Sequence, residues 1–348
     1  MEGYRKSIKD LAWNVTEEEY RKDPAISYST LSRFEREGWR KIGQLFDKQE
    51  TAALQFGGAV DCLLTDGEEA FKEKYFVADF PDLQDSIITI VKALFGTYSS
   101  KYRSISMIPD IKVMDAAVIF KYQSNWKPET RAKVIKEKGE DYYNLMYLAG
   151  DKVILTQAEY NEVLACIEEL RSNDVTSFFF NGSYDESIEK VFQLKFKAEY
   201  EGTPLRCMFD ELIVDHTNKI IYPIDLKTTG HPEEEFESSF NKWRYDIQAK
   251  LYTYILSEVI KNDDYFKDFK IEYYQFVTIN KKTLAPVIWE FDDNHSIRDM
   301  MDDEGNVLRD WRKILDDLNY YLEHPQSKYS REVLANDCRM KIRNSTIA

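Results

Sequence analysis

The chain has 348 residues, 43% of them hydrophobic and 14% aromatic, enough apolar material for a sizeable core and unlike a fibrous, repetitive or disordered chain. A formal net charge of −15 excludes binding of nucleic acid by bulk charge but leaves room for a locally basic groove. No apolar run nears the roughly 18–20 residues of a bilayer span, and the opening residues MEGYRKSIKDLAWN lack an apolar signal core, so a cytoplasmic protein with no membrane partner is expected.

Residues 1–55 are expected to be helical. SYSTLSRFEREGW opens on Ser/Thr caps and carries Leu31 and Phe34 at helical spacing. The stretch 53–75 predicts a helix led by a Gly-Gly pair, with Val60, Leu63 and Leu64 as its apolar stripe. From about 85 to 180 the pattern stays mainly helical. Within it Thr156 and Glu159 form a capping box ahead of Val163, Ile167 and Leu170 on one face. Two stretches are basic enough to line a groove: Lys121 to Lys138, with Lys127, Arg131, Lys133 and Lys136 between, and the tail Lys328 to Arg343. Either also suits an ordinary solvated helix face.

The pattern changes at residue 189. VFQLKFKAEY alternates with period two, and EGTP and DHTNK supply turn chemistry, so 189–229 predicts a strand meander. A helix follows over 243–261, then a strand pair within KIEYYQFVTIN and APVIWEFDD, then helical segments near 296–322 and 328–343. Helices, a meander, a helix and more strands indicate an α/β (α+β) fold. The expected core is a mixed sheet with the 189–229 strands at its centre and helices on both faces. One domain is expected over 1–348: N-terminal helices (1–75), a helical insertion (76–185), a core (186–295) and C-terminal helices (296–348). Cys62, Cys166, Cys207 and Cys338 are too widely spaced for a zinc or iron–sulfur motif and read as reduced thiols. His216, His231, His295 and His324 form no ligand cluster.

Chemistry concentrates in FDEL (209–212) and IDLKTTG (224–230). A hairpin turning at Thr217–Asn218 sets Asp210 opposite Asp225, and strand alternation puts Lys227 on the face of Asp225. Two opposed carboxylates repel and lose hydration when buried, and a divalent cation resolves both problems. Such oxygen donors suit Mg²⁺ or Mn²⁺, which polarises a phosphodiester and acidifies a bound water. Lys227 is then placed to orient that water or to stabilise charge on phosphorus. The bland alternative is a structural ion pair at a sheet end. Pro223 also argues against a regular central strand, since it lacks a ladder donor. On the following helix Gln248 and Tyr252, four apart, are expected at the border of the stripe Ile247, Leu251, Ile255 and Val259, leaning over the strand ends.

Asp210, then DLKTT with Asp225 and Lys227, then QAKLY with Gln248 and Tyr252, resembles in order the PD-(D/E)xK nuclease superfamily, most of all its RecB-like and RecE-like (exonuclease VIII-type) branch. EEYRKDPAISYSTLSRF, LQFGGAVDCLL and LRCMFDEL resemble further segments of that branch, so the likeness covers roughly 18–64 and 189–256. The resemblance implies a restriction-endonuclease-like core. It makes Asp210 and Asp225 metal ligands together with the main-chain carbonyl of Leu226, Lys227 the catalytic lysine, and Gln248 and Tyr252 residues that touch DNA and buttress the site. Glu189 falls near an acid often seen on the preceding strand. Where relatives carry a histidine ligand on the early helix, this chain has Asp61, which can still hold Mg²⁺ or Mn²⁺ through oxygen. The implied activity is a 5′-to-3′ exonuclease on linear double-stranded DNA, of phage type, feeding a single-strand-annealing recombinase. Related exonucleases form rings around DNA, which implies a homo-oligomer. The competing expectations are an endonuclease on the same fold and a non-catalytic DNA-binding or assembly factor.

Overall fold

The computed structural model describes residues 5–340 except Lys48, Glu50 and Tyr184. The chain divides into two compact units, one formed by Met1–Thr51 with Glu168–Ala348 and the other by Ala52–Ile167. In chain order, α1 (Glu17–Lys22) and α2 (Tyr28–Glu37) lead into the second unit. That unit holds α3 (Ala52–Asp61), α4 (Glu68–Lys74), β1 (Tyr75–Val77), α5 (Asp85–Tyr98), α6 (Asp110–Ile119), α7 (Pro128–Ala149), β2 (Val153–Leu155) and most of α8 (Gln157–Ser172). The first unit resumes with α9 (Ser177–Phe180), β3 (Ile188–Tyr200), β4 (Thr203–Asp215), β5 (Ile220–Thr229), α10 (Phe236–Trp243), α11 (Tyr245–Ile260), β6 (Lys270–Ile271), β7 (Tyr274–Asn280) and β8 (Pro286–Phe291). It ends with β9 (Met300–Met301), β10 (Val307–Leu308), α12 (Trp311–Glu323) and α13 (Arg331–Ala335). Among the described residues no helix is long and apolar enough to cross a membrane.

The alternating run at 189 and its turn residues build a mixed sheet of order β3-β4-β5-β7-β8, with β6 beside β5. β3, β4 and β5 form the expected meander. Its second turn is set by Asp215, whose Oδ1 accepts the N–H groups of Thr217 (3.0 Å) and Asn218 (2.9 Å). β5 and β7 run parallel, so the chain must cross over between them, and α10 and α11 are that crossover. β4, β5 and β7 are interior strands; β3 lies at the sheet edge rather than at its centre. One face of the sheet packs on α2, α11 and α12, burying Phe209, Tyr274, Phe276 and Trp311. On the other face Phe178 and Phe179 of α9 meet Ile188, Ile213 and Tyr222.

Pro223 sits inside β5, opposite Leu212 of β4, although a proline is poorly tolerated within a sheet. The neighbour on its other flank is broken at this point: β6 pairs with Ile220 and Ile221, and β7 joins only at Ile224. Strand alternation directs the nitrogen of residue 223 towards that break, so no ladder bond is lost.

Two local expectations fail for identifiable reasons. The segment before α12 is a small hairpin, β9 with β10, rather than a helix from 296. There Asp302 Oδ1 accepts the N–H groups of Glu304 (3.1 Å) and Asn306 (2.7 Å), a local turn that competes with helix. The second is α11, which is buried nearly all round its circumference, polar residues included, and carries Gln248 and Tyr252 in the interior, not at a stripe border.

In the second unit α5, α6 and α7 surround Ile90, Val91, Ile105, Ile135 and Tyr143, while β1 and β2 form a short parallel pair that the helical pattern of 85–180 did not announce. The Thr156–Glu159 capping box is present ahead of α8. α5 and α7 approach closely because Gly139 has no side chain: a Cβ there would stand 2.5 Å from Val91 Cγ2 and 3.5 Å from Ile105 Cδ1. Gly139→Ala is expected to destabilise this unit by about 1 kcal/mol, since overpacking of roughly 1–3 kcal/mol is only partly offset by the ~1 kcal/mol gain in helix propensity. Amide exchange should rise in α5 and α7 and stay unchanged in β3–β5. Unchanged protection in α5 would refute the close-approach argument.

Candidate active site

The site begins with an irregularity in a strand. The β3–β4 ladder pairs Phe192 with Glu211 and Leu194 with Phe209 but omits Gln193 and Asp210, and Gln193 has a φ of 55°. Side chains change sides there: Cys207 and Phe209, then Leu212 and Val214, all join the same core. The β4–β5 ladder follows the expected register and stops at Glu211 opposite Ile224, one pair short of Asp210 opposite Asp225. Freed of ladder bonds, Asp210 turns to β5, and its Oδ2 accepts the N–H of Leu226 at 2.9 Å. A strand residue directs its N–H and C=O to the same side, so the Leu226 carbonyl points towards Asp210 as well.

Asp225, 2% exposed, faces α11. Gln248, 4% exposed, donates from Nε2 to Asp225 Oδ1 and accepts at Oε1 from Lys227 Nζ at 3.2 Å. One amide thus orients both charged groups at once. Lys227 Nζ ion-pairs with Asp225 Oδ2 and lies 4.8 Å from the centroid of the Tyr245 ring, a cation–π arrangement. Burial works against the Lys227 charge, but Asp225, then Tyr245 and Asp210, outweigh it and lift its pKa above that of an ordinary lysine. The lysine here is a fixed cation. The hydroxyl of Tyr28 donates to the Trp243 carbonyl at 2.8 Å, and its ring packs on Tyr245. Tyr252 is buried between Phe209 and Tyr274, so it supports the strands from beneath.

Hard oxygen donors dominate the spot. Asp225 Oδ2 is buried and, apart from its ion pair, receives no aligned hydrogen bond; the Tyr274 hydroxyl nearby is likewise buried without a partner. A buried carboxylate oxygen held only by a lysine, with a second carboxylate nearby, is a setting that a small divalent cation with its waters satisfies. Among the described residues no three His, Cys, Asp or Glu side chains gather into a ready-made cage. The acidic set is therefore the pair Asp210 and Asp225, supplemented by the Leu226 carbonyl. These donors suit a hard divalent cation.

Two further expected residues belong to other elements. Asp61 closes α3 in the second unit, where the helix widens into a π turn at Cys62–Asp66 and Thr65 bonds the Asp61 carbonyl. Glu189 stands opposite Val214 towards the far end of β4, held by Ser7 and His216. In the Lys121–Lys138 stretch Arg131 is buried, Lys136 pairs with Asp110 (2.5 Å) and Lys133 with Glu137 (3.7 Å), which leaves fewer free cations than the pattern promised. In the tail Arg331 pairs with Asp316 and Asp317, and residues 341–343 lie outside the described residues. Tyr28, Tyr245 and Tyr274 were not anticipated. The first falls within SYSTLSRF and the second just before the DIQAKLY run, so closeness to those segments was the available signal.

Residues 27–285 match the family described as a PDDEXK-like domain of unknown function (DUF3799). No curated protein matches the chain. Among solved structures the chain is similar to a protein from Eubacterium rectale provisionally named an exonuclease, at 13% identity over 97% of each chain and a TM-score of 0.36. A likeness that loose carries no argument about activity.

Proposed function

Since the chain belongs to this PDDEXK-like family and has the mixed sheet flanked by helices of the PD-(D/E)xK nuclease superfamily, we propose that it is a Mg²⁺- or Mn²⁺-dependent deoxyribonuclease that hydrolyses phosphodiester bonds. The observation that supports this most is the joint engagement of Asp225 and Lys227 by Gln248, with Asp210 turned onto the same strand at Leu226. A bound divalent cation supplies positive charge to a scissile phosphate and acidifies water. Asp210, Asp225 and the Leu226 carbonyl are the groups that would hold it. Lys227 stays protonated against Asp225 and is poised to meet the negative charge that grows on phosphorus. Gln248 keeps the lysine and the carboxylate in fixed relative orientation, which is the positioning on which phosphoryl chemistry depends. Asp61 enters as a ligand through the family resemblance alone. The same resemblance supports action from the ends of linear duplex, 5′-to-3′ polarity, hand-off to an annealing recombinase, a homo-oligomer, and one nuclease domain over 1–348 with residues 76–185 as a helical insertion.

The test is a time course on end-labelled linear duplex beside a covalently closed circle. With Mg²⁺ or Mn²⁺ the linear DNA should be consumed and the circle should survive; EDTA should stop the reaction. Nicking of the circle at a similar rate would favour an endonuclease. Binding of DNA with no cleavage in either metal would sink the nuclease proposal and leave an assembly factor.

A further inference from the structure

Helix α10 carries Phe236, Phe240 and Trp243 at helical spacing on one stripe. The first two behave as that pattern requires, with Phe236 packed on Phe276 and Trp289 and Phe240 packed on Phe276 and Phe291. Trp243 continues the stripe beyond the core, and its side chain stands in solvent, the residue being 40% exposed. A large aromatic ring is costly to leave in water, so its setting matters. Two cations flank it: the Arg36 guanidinium lies 4.7 Å from the ring centroid and Lys242 Nζ lies 5.3 Å from it. The Arg36 guanidinium bonds only a main-chain carbonyl, that of Ser32, and among the described residues neither Arg36 nor Lys242 pairs with a carboxylate. In a chain with 62 acidic and 47 basic residues, two unpaired cations on one exposed aromatic ring stand out.

The backbone that carries the ring is also tied to the site. The Trp243 carbonyl accepts from Tyr28, Tyr28 packs on Tyr245, and Tyr245 lies under Lys227. The main chain of Trp243 is therefore linked to the lysine through two tyrosines, Tyr28 and Tyr245. From this we infer that Trp243, Arg36 and Lys242 form a subsite for one unpaired nucleotide of the DNA strand being cut, the base stacking on the indole or on the guanidinium above it and the phosphate meeting the two cations. Stacking of this kind is indifferent to base identity and requires a base free of its partner. The subsite would favour frayed ends and single-stranded overhangs over blunt duplex, with little sequence preference. This inference rests on the nuclease proposal for its substrate.

The test is fluorescence anisotropy of a labelled single-stranded oligodeoxynucleotide with the full chain, in a Lys227→Ala background with Mg²⁺ so that the probe survives. Trp243→Ala should weaken binding about tenfold and Trp243→Phe should retain most of it, since stacking on one aromatic ring accounts for effects of roughly that size. Arg36→Ala should lower the slope of log affinity against log salt by about one. Melting temperatures of the Trp243 variants should match the parent, as an exposed ring supports little of the fold. Equal affinity in Trp243→Ala and parent overturns the subsite and leaves the nuclease proposal standing. A parent that binds no oligonucleotide overturns the subsite, while consumption of linear duplex in the time course still upholds the nuclease proposal. Loss of self-association in Trp243→Ala with DNA binding unchanged assigns the ring to a protein interface and overturns the subsite.

Discussion

Lys227→Ala should lower the rate of DNA cleavage by roughly a hundred- to a thousandfold, the cost of removing one preorganised charge aimed at a transition state. Among the described residues the lysine is the one cation in direct contact with Asp225 and Gln248. Because the carboxylates outweigh burial and raise its pKa, it should stay charged throughout the neutral range, so the activity profile should show no lysine deprotonation step near neutrality. The linkage has a definite sign. A lysine with a raised folded pKa contributes stability that is fully present below about pH 10.4, its unfolded value, and lost as pH climbs towards the folded one. Metal binding separates the roles of the two partners. Calorimetry with Mn²⁺ should show binding kept in Lys227→Ala, where a competing cation has gone, and lost in Asp225→Asn, where a ligand has. Arginine at this position should not restore activity, since its planar fork does not replace a compact ammonium. Cleavage by Lys227→Ala at the parent rate would remove the basis of the proposed mechanism.

The part of this site legible in the sequence was the part written in short-range pattern. Turn residues at DHTNK and strand alternation were enough to put Asp225 and Lys227 on one face and to set the β4–β5 register. Asp210 was expected opposite Asp225; it instead reaches the Leu226 amide because the β3–β4 ladder opens at Gln193, and a positive φ at a glutamine has no sequence signature. Gln248 was expected at a stripe border, and its burial was not anticipated. A helix that carries lysine, glutamine and aspartate looks two-sided, and only the tertiary fold shows that Asp246, Gln248 and Lys250 each have an interior partner. Pro223 misled for a similar reason, since the break between β6 and β7 that accommodates it lies almost fifty residues downstream. Pairings that distant are the least readable feature of a single sequence, and they are what raised Tyr28 and Arg244 to structural importance.

Arg244→Ala should destabilise the first unit by about 3–5 kcal/mol, a lowering of the melting temperature on the order of 10 °C. Arg244 is 4% exposed and makes a fork onto Asp246, with Nε to Oδ1 at 2.9 Å and Nη2 to Oδ2 at 3.0 Å. Its other contacts join α2 and the segment before α12: Nη1 donates to Glu35 at 3.2 Å and Nη2 to the Arg309 carbonyl at 2.6 Å. The residue also holds a left-handed backbone, φ 59°, at a cost of roughly 1–2 kcal/mol for a side chain other than glycine, which the fork offsets. Truncation strands Asp246, 1% exposed, as an uncompensated buried charge, and that penalty is the main part of the expected loss. The double variant Arg244→Met with Asp246→Leu should therefore be more stable than Arg244→Ala, because it removes both charges instead of orphaning one. Arg244→Lys should not rescue, since one ammonium cannot span both carboxylate oxygens while also reaching Glu35 and the Arg309 carbonyl. Arg244 precedes Gln248 by one turn, so loosening the start of α11 should slow cleavage even below the melting transition. A stable Arg244→Ala protein with parent activity would show that α11 is held by its apolar packing alone, and that the ionic clamp has no part in positioning the site.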